Sequence, residues 1–322
     1  MKLPAHIAGL DEARDLPARP LHLAIGMFDG VHLGHRAVVE AAVASARNTR
    51  GLAAALTFDP HPSRLLRPDA PVCLLQPAGI RSRRLLAAGL DVVIAQPFTP
   101  EFAAVSAEDF LPNLLKALPE LRTIYVGENW RFGRGRVGDV AMLNAEARKN
   151  GLRVFSAPRV NFDGEPISST RIRVALREGR LDTVNALLGY TYCTDGVVKG
   201  GQQLGRTIGF PTLNVPWAPE CAPRLGVYAV RIRRAVRTSD DTASWEGVAN
   251  YGVRPTVADG ETTPLLEVHA FETPPFDAGD HIEVEWCAFL RDERRFDGIE
   301  ALRRQIDQDA AAARRFFAEQ AG

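Results

Sequence analysis

Gly26-Met27-Phe28-Asp29-Gly30-Val31-His32-Leu33-Gly34-His35 decides how the first half of this 322-residue chain folds. The apolar run Leu21 to Ile25 enters it directly, as a buried strand of a parallel sheet would. Arg36 to Arg47 leaves it with helical periodicity, closed by Gly51. A strand, a glycine-bearing turn and a helix start together present unpaired N–H groups and a partial positive charge, and glycines let an anion approach the backbone. Gly26, Phe28, Asp29 and Gly30 are therefore expected at a phosphate. His32 and His35 lie three apart and can face the same anion. An imidazole N–H there would stabilise charge developing on a departing pyrophosphate. The same spacing also suits metal ligands or ordinary turn residues, although no third ligand cluster lies nearby in the sequence.

Leu52 to Phe58 reads as a second strand, stopped by Asp59-Pro60-His61-Pro62, and Asp91 to Ala95, Thr123 to Val126 and Leu152 to Ser156 as further strands. Helical patterns cover Ile80 to Ala88, Ala107 to Leu118 and Val140 to Lys149, the second opened by a Ser106-to-Asp109 capping box. Alternating strands and helices predict an α/β, Rossmann-like doubly wound domain with ligands beyond the strand carboxyl ends. Those ends carry Phe28 and His32, Asp59 and His61, and Gly127-Glu128-Asn129. No G-x-G-x-x-G follows the first strand, which disfavours a dinucleotide dehydrogenase. Gly127 to Arg136 interleaves arginines, glycines and aromatics. It could clamp phosphates, stack on a planar ring, or be a solvated basic loop. Ile167-Ser168-Ser169-Thr170-Arg171-Ile172-Arg173 opens another helix, whose hydroxyls could cap it or bind an anion beside the arginines.

Beyond Leu181 to Leu188 the texture changes. Strand-like runs at Tyr190 to Lys199, Thr212 to Val215, Gly226 to Val236, Trp245 to Tyr251, Leu265 to Phe271 and His281 to Leu290 predict a small antiparallel β-barrel, with Phe296 to Phe317 as a C-terminal amphipathic helix. The expected domains are 1–187 and 188–322. Gly200 to Thr207 nearly matches a phosphate-binding P-loop, but Ile208-Gly209-Phe210-Pro211 forbids the helix such a loop must open. Gly201 and Thr207 would instead belong to a flap over phosphates, or to a plain hairpin. Thr212 and Asn214, two apart on one strand, offer neutral oxygens suited to Mg²⁺ shared with a nucleotide, or form a polar barrel rim. Glu267 lies in the apolar strand Leu265-Leu266-Glu267-Val268-His269, where a carboxylate needs a partner or a task.

Lys plus Arg balance Asp plus Glu at 39 each, so nothing global points to nucleic acid or an anionic membrane. Cys73, Cys193, Cys221 and Cys287 are scattered without a C-x-x-C, which excludes a zinc ribbon and argues against a disulfide framework. No apolar run is long enough to span a bilayer and the first residues lack a signal-peptide core, so the expected location is cytoplasmic. Small-molecule substrates are expected, and at most a weak or transient oligomer.

GMFDGVHLGH, TFDPHP, GENWRFGRGRVGD and ISSTRIR, in that order, resemble the FMN adenylyltransferase half of the bacterial bifunctional riboflavin kinase/FAD synthetase family. GRTIGFPTLNV, GVYAVRI, GVANYGVRPTV, LLEVHAF and IEVEWCAFLRDERRF resemble its riboflavin kinase half. The resemblance implies that His32, His35 and Asn129 contact ATP phosphates, that Ser169, Thr170 and Arg171 hold the pyrophosphate end, and that Phe58, Asp59 and Pro60 lie near the flavin. In the second half it implies that Thr212 and Asn214 hold Mg-ATP, Glu267 is the general base for the ribityl hydroxyl, and Arg291 lies near the isoalloxazine. ATP, Mg²⁺, riboflavin, FMN and FAD would be the cofactors, substrates and products. A nucleotidyltransferase for another phosphate ester would leave PTLN and Glu267 without a role. A flavin-binding regulator with decayed catalysis would not need the full set of chemical groups that the chain retains.

Overall fold

The computed structural model describes residues 5–200, 209–235, 243–255 and 262–321. It divides into two compact units, Met1–Ser169 and Thr170–Gly322. The cut falls earlier than the change of sequence texture. The helices α7 (Ser169–Arg177, all but its first residue) and α8 (Leu181–Leu188) therefore lie in the second unit.

The first unit is built on a six-stranded, all-parallel sheet. Its strands are β1 (His6–Ile7), β2 (Leu21–Ile25), β3 (Leu52–Asp59), β4 (Val92–Pro97), β5 (Leu121–Gly127) and β6 (Arg153–Ala157), in the spatial order β1-β4-β3-β2-β5-β6. All of β2 is buried, as is β3 up to Phe58, which is why both read as mostly apolar runs rather than alternating ones. The chain lays down β2, β3 and β4 in one direction and then returns past β2 to add β5 and β6. The order thus reverses between β2 and β5, where a crevice opens beyond the strand ends.

The helix after β2, α1 (Leu33–Thr49), starts three residues before the periodicity predicts, because His32 caps it and draws the second imidazole into its first turn. The Asp59-Pro60-His61-Pro62 stop leads into the short helix α2 (Pro62–Leu66), with proline at its start. The helices α3 (Ala78–Ala87), α4 (Pro100–Ala103), α5 (Ala107–Ala117) and α6 (Val140–Lys149) complete the helical complement, and the hairpin of β7 (Asn161–Phe162) and β8 (Glu165–Pro166) leads to Ser169.

Among its described residues the second unit has six antiparallel strands, β9 (Cys193–Val197), β10 (Leu213–Pro216), β11 (Gly226–Arg234), β12 (Trp245–Pro255), β13 (Thr262–Ala270) and β14 (His281–Asp292). Their order is β10-β13-β12-β11-β14-β9, and a bridge between Lys199 and Asn214 brings the two edges together into a nearly closed barrel. The helix α9 (Ile299–Ala321) packs on β11, β12 and β14. Asn185 ties α8 to the barrel, donating to Trp286 O at 3.1 Å while accepting from Tyr192 N at 2.7 Å.

Candidate active sites

In the first unit the turn after β2 takes Phe28 and Val31 into the left-handed region, at φ 51° and 38°. Two side-chain ties hold it. Asp29 is buried, and its two carboxylate oxygens accept from Leu75 N at 3.0 and 3.2 Å. Ser169 Oγ donates to Asp29 O at 2.9 Å. His32 then caps α1, its Nδ1 accepting from His35 N at 3.3 Å. The two imidazoles stack with ring centroids 3.6 Å apart, and Phe28 meets His35 edge-on at 5.5 Å. A Cβ on Gly34 would lie 3.2 Å from the His32 ring, so the glycine between the histidines leaves room for the stack.

Burial, and secondarily the neighbouring His32, holds His35 well below the ordinary imidazole pKa. It is thus a neutral donor–acceptor at physiological pH rather than a cation. Its Nδ1 is buried and without a hydrogen-bond partner among the described residues.

His22, buried near the amino end of β2, is also lowered by burial. The Thr49 hydroxyl donates to Ser45 O at 3.0 Å, so it accepts from His22 Nε2–H at 2.9 Å, and Nδ1 accepts from Tyr125 O–H at 3.2 Å. Both histidines are neutral when folded and free to protonate when unfolded. Stability should be complete above the unfolded pKa of about 6.5 and fall as pH drops through and below it. Thermal melts from about pH 8 to about pH 5 should show a declining midpoint, and a flat profile would contradict this account.

His32 and His35 line a cavity of about 270 Å³ with Gly26, Gly34, Asn129 and Arg159. A larger cavity, about 740 Å³, is walled by Phe58, Phe98, Phe102, Phe110, Trp130 and Phe132, with Arg131 and Arg136 among its lining. Gly26, Met27, Asn129 and Trp130 line both, so the two cavities meet at the carboxyl ends of β2 and β5. The loop after β5 folds over this junction. Trp130 stacks on Phe132 at 4.8 Å, and Gly133, at φ 72°, passes so close to α5 that a Cβ would sit 2.6 Å from the Ala107 backbone. Asn129 donates to Glu128 Oε1 at 3.2 Å, and Glu128 pairs with Arg159.

The expected residues thus separate. Gly26, Phe28, His32, His35 and Asn129 line the smaller cavity and Phe58 the larger. Asp29 and Gly30 shape the turn. Asp59 and Pro60 lie on the exposed side of the strand end, joined by a cis peptide. Thr170 and Arg171 fall in the second unit, on the first turn of α7.

In the barrel, strand register builds the site. Asn214 lies opposite Glu267, Glu267 opposite Asn250, Asn250 opposite Val227, and Val227 opposite Arg291. Directly opposed residues share a sheet face, so this row runs across five strands on one side. Leu213 pairs instead with Val268, on the alternate face. Thr212, Asn250, Glu267 and Arg291 line a cavity of about 230 Å³, together with Phe210, His269, Glu293 and Phe296. Arg291 is fixed by a bidentate pair with Asp309 of α9, at 2.8 and 2.6 Å, and Gln305 donates to the same carboxylate at 2.9 Å. The helix thereby becomes a wall of the site. Gly201 and Thr207 lie outside the described residues.

Asn250 and Asp309 were not expected from the sequence. Each had a signal: Asn250 is an amide at an inward position of an apolar strand, and Asp309 an acid on the buried face of an amphipathic helix.

Comparison with known proteins agrees with this division. A family model described as FAD synthetase matches residues 16–171, and one described as riboflavin kinase matches 188–317. The bifunctional riboflavin kinase/FMN adenylyltransferase of Escherichia coli strain K12 is 35% identical over 311 residues, covering 97% of each chain. Those of Listeria monocytogenes and Bacillus subtilis strain 168 are 35% and 31% identical, over 92% and 98% of this chain and 92% and 96% of theirs. A crystal structure from Streptococcus pneumoniae, titled as a macrolide-efflux protein, is 27% identical with a TM-score of 0.83 and covers 97% of this chain and 99% of its own. Among the described residues no helix is long and apolar enough to cross a membrane. With two such sites, one on each matched domain, and relatives that align along nearly the whole length, the chain belongs to the family of bifunctional riboflavin kinase/FMN adenylyltransferases.

Proposed function

We propose that this chain makes both flavin cofactors from riboflavin, using one ATP at each of two sites. In the barrel the ribityl 5′-hydroxyl attacks the γ-phosphorus of ATP, Glu267 accepts its proton, and ADP leaves with FMN as product. Glu267 is suited to this because it faces a cavity from a row otherwise made of amides, Val227 and a paired arginine. Arg291 and Phe296 form the flavin wall.

Thr212 and Asn214 supply neutral oxygens for Mg²⁺ next to that carboxylate. An ion held there would be completed by substrate phosphates and water. When bound, Mg²⁺ would neutralise phosphate charge.

In the first unit the FMN phosphate oxygen attacks the α-phosphorus of ATP and pyrophosphate leaves with FAD as product. The nucleophile is already anionic and needs no base, so the protein supplies position and N–H donors. His32, His35 and Asn129 serve the phosphates, the Gly26–Gly30 turn approaches the nucleotide, and Phe58 with the turn at Asp59 and Pro60 receives the flavin. Ser169, Thr170 and Arg171 are assigned to the pyrophosphate end by their motif, and Gly201 and Thr207 to the kinase flap. The observation that supports the adenylyl step best is the junction of two cavities, one aromatic and one lined by stacked imidazoles, at Gly26, Met27, Asn129 and Trp130.

We assign the domain boundary to 187/188, the enzyme to the cytoplasm, and its partners to small molecules, with at most weak self-association and no nucleic acid or membrane. Incubation with riboflavin, ATP and Mg²⁺, followed by separation of the flavins, should yield FMN and FAD, and chelation of Mg²⁺ should stop FMN formation. Recovery of riboflavin unchanged in the complete mixture would refute the proposal.

A further inference from the structure

Arg81, on α3, is 1% exposed. Nothing in either reaction as described gives it a task, and a guanidinium is costly to bury without purpose.

Its surroundings connect two turns. Arg81 Nη2 donates to Phe58 O at 3.4 Å, at the end of β3. Burial lowers its pKa, and the Asp59 and Asp29 carboxylates oppose that shift. Asp59 lies at the end of β3, whereas Asp29 belongs to the imidazole turn after β2. Nε and Nη1 have no hydrogen-bond partner among the described residues. Leu75, six residues before Arg81, fastens the same Asp29 through its N–H. Thr57 Oγ1 adds a direct link between the two strand ends, donating to Met27 O at 3.2 Å. One segment, Leu75 to Arg81, thus addresses the turn that carries His32 and His35 and the strand end that carries Phe58.

We propose that Arg81 is a positioning residue for adenylyl transfer, tying the imidazole turn to the Phe58–Asp59 turn so that nucleotide and flavin subsites keep a fixed separation. The inference rests on the adenylyltransferase assignment of the first unit. Arg81 secures the Phe58 end of this segment through one hydrogen bond and Leu75 secures the Asp29 end through its N–H, while the cation attracts both carboxylates through space. Without it, the segment loses its hold on the Phe58 carbonyl. The turns would then be free to part, and a reaction run by positioning loses about 100-fold for a misplacement of about 1 Å.

The test compares Arg81→Met and Arg81→Lys in the full chain, measuring adenylylation of FMN and phosphorylation of riboflavin on the same preparation. Arg81→Met should lower kcat/KM for adenylylation about 100-fold, and Arg81→Lys about tenfold, chiefly through KM for FMN. Riboflavin phosphorylation should be unchanged in both. Combined with Asp59→Asn, the loss from Arg81→Met should be less than additive, because the two groups act on one turn. Unchanged adenylylation constants in both variants, or strictly additive losses, would overturn the proposal. Should Arg81→Met not fold, the KM for FMN of Arg81→Lys decides alone. Absence of FAD formation by the wild-type chain would instead refute the adenylyltransferase assignment itself and this inference with it, a result distinct from a loss confined to the variants.

Discussion

Glu267→Ala should reduce the conversion of riboflavin to FMN by about 10²- to 10⁴-fold, the usual contribution of a positioned general base, while FMN continues to be converted to FAD at the wild-type rate. The register explains why the effect should be this large. Across β10, β13 and β12, Glu267 is flanked by Asn214 and Asn250, neither of which can accept a proton from a hydroxyl at neutral pH. His269, two residues along the same strand and lining the same cavity, donates Nδ1–H to Pro211 O at 2.9 Å. Within the row Asn214–Glu267–Asn250–Val227–Arg291, Glu267 is the side chain able to accept a proton from a hydroxyl at neutral pH. The change removes a partly buried side chain on one barrel wall and leaves the aromatic core around Trp286, Tyr228 and Tyr251 untouched, so the barrel should remain folded. A Glu267→Ala chain that phosphorylates riboflavin normally would show that the base lies elsewhere.

Replacing His32 and His35 together by Ala should do the reverse, lowering FAD formation from FMN by at least about 10²- to 10³-fold, the usual cost of one lost donor to a developing oxyanion. The two rings are expected to act as one unit. They stack at 3.6 Å, His32 orients the helix start by accepting from His35 N, and loss of either removes the surface on which the other rests. Single substitutions should consequently cost nearly as much as the pair, as residues of one catalytic unit do. Normal FAD formation by the double variant would mean that the imidazoles only cap α1.

Most of the first unit was legible because its pattern is local. Leu21 to Ile25 is a strand in the structure with those same ends, and Val140 to Lys149 likewise a helix, since burial on both faces and an acidic cap at Asp139 write themselves into consecutive residues. The barrel was legible as strands but not as a site. The row Asn214–Glu267–Asn250–Val227–Arg291 joins residues up to 77 positions apart, and only register brings them onto one face. Arg81 was invisible for a related reason. In the sequence it sits among other arginines of an amphipathic helix, Arg83 and Arg84, and nothing short of tertiary packing marks it as the buried one. The change of texture and the cut between compact units differ in position because the helices α7 and α8 continue the helical texture of the first half while α8 packs on β14 of the second.

Two independent ATP-using sites in a single polypeptide should act in sequence on one flavin. Giving the His32→Ala, His35→Ala chain riboflavin, ATP and Mg²⁺ and identifying the flavin that accumulates tests this most directly. That flavin should be FMN, formed at the wild-type rate and carried no further. Riboflavin left unconverted by a folded chain, or FAD formed as in the wild type, would contradict it.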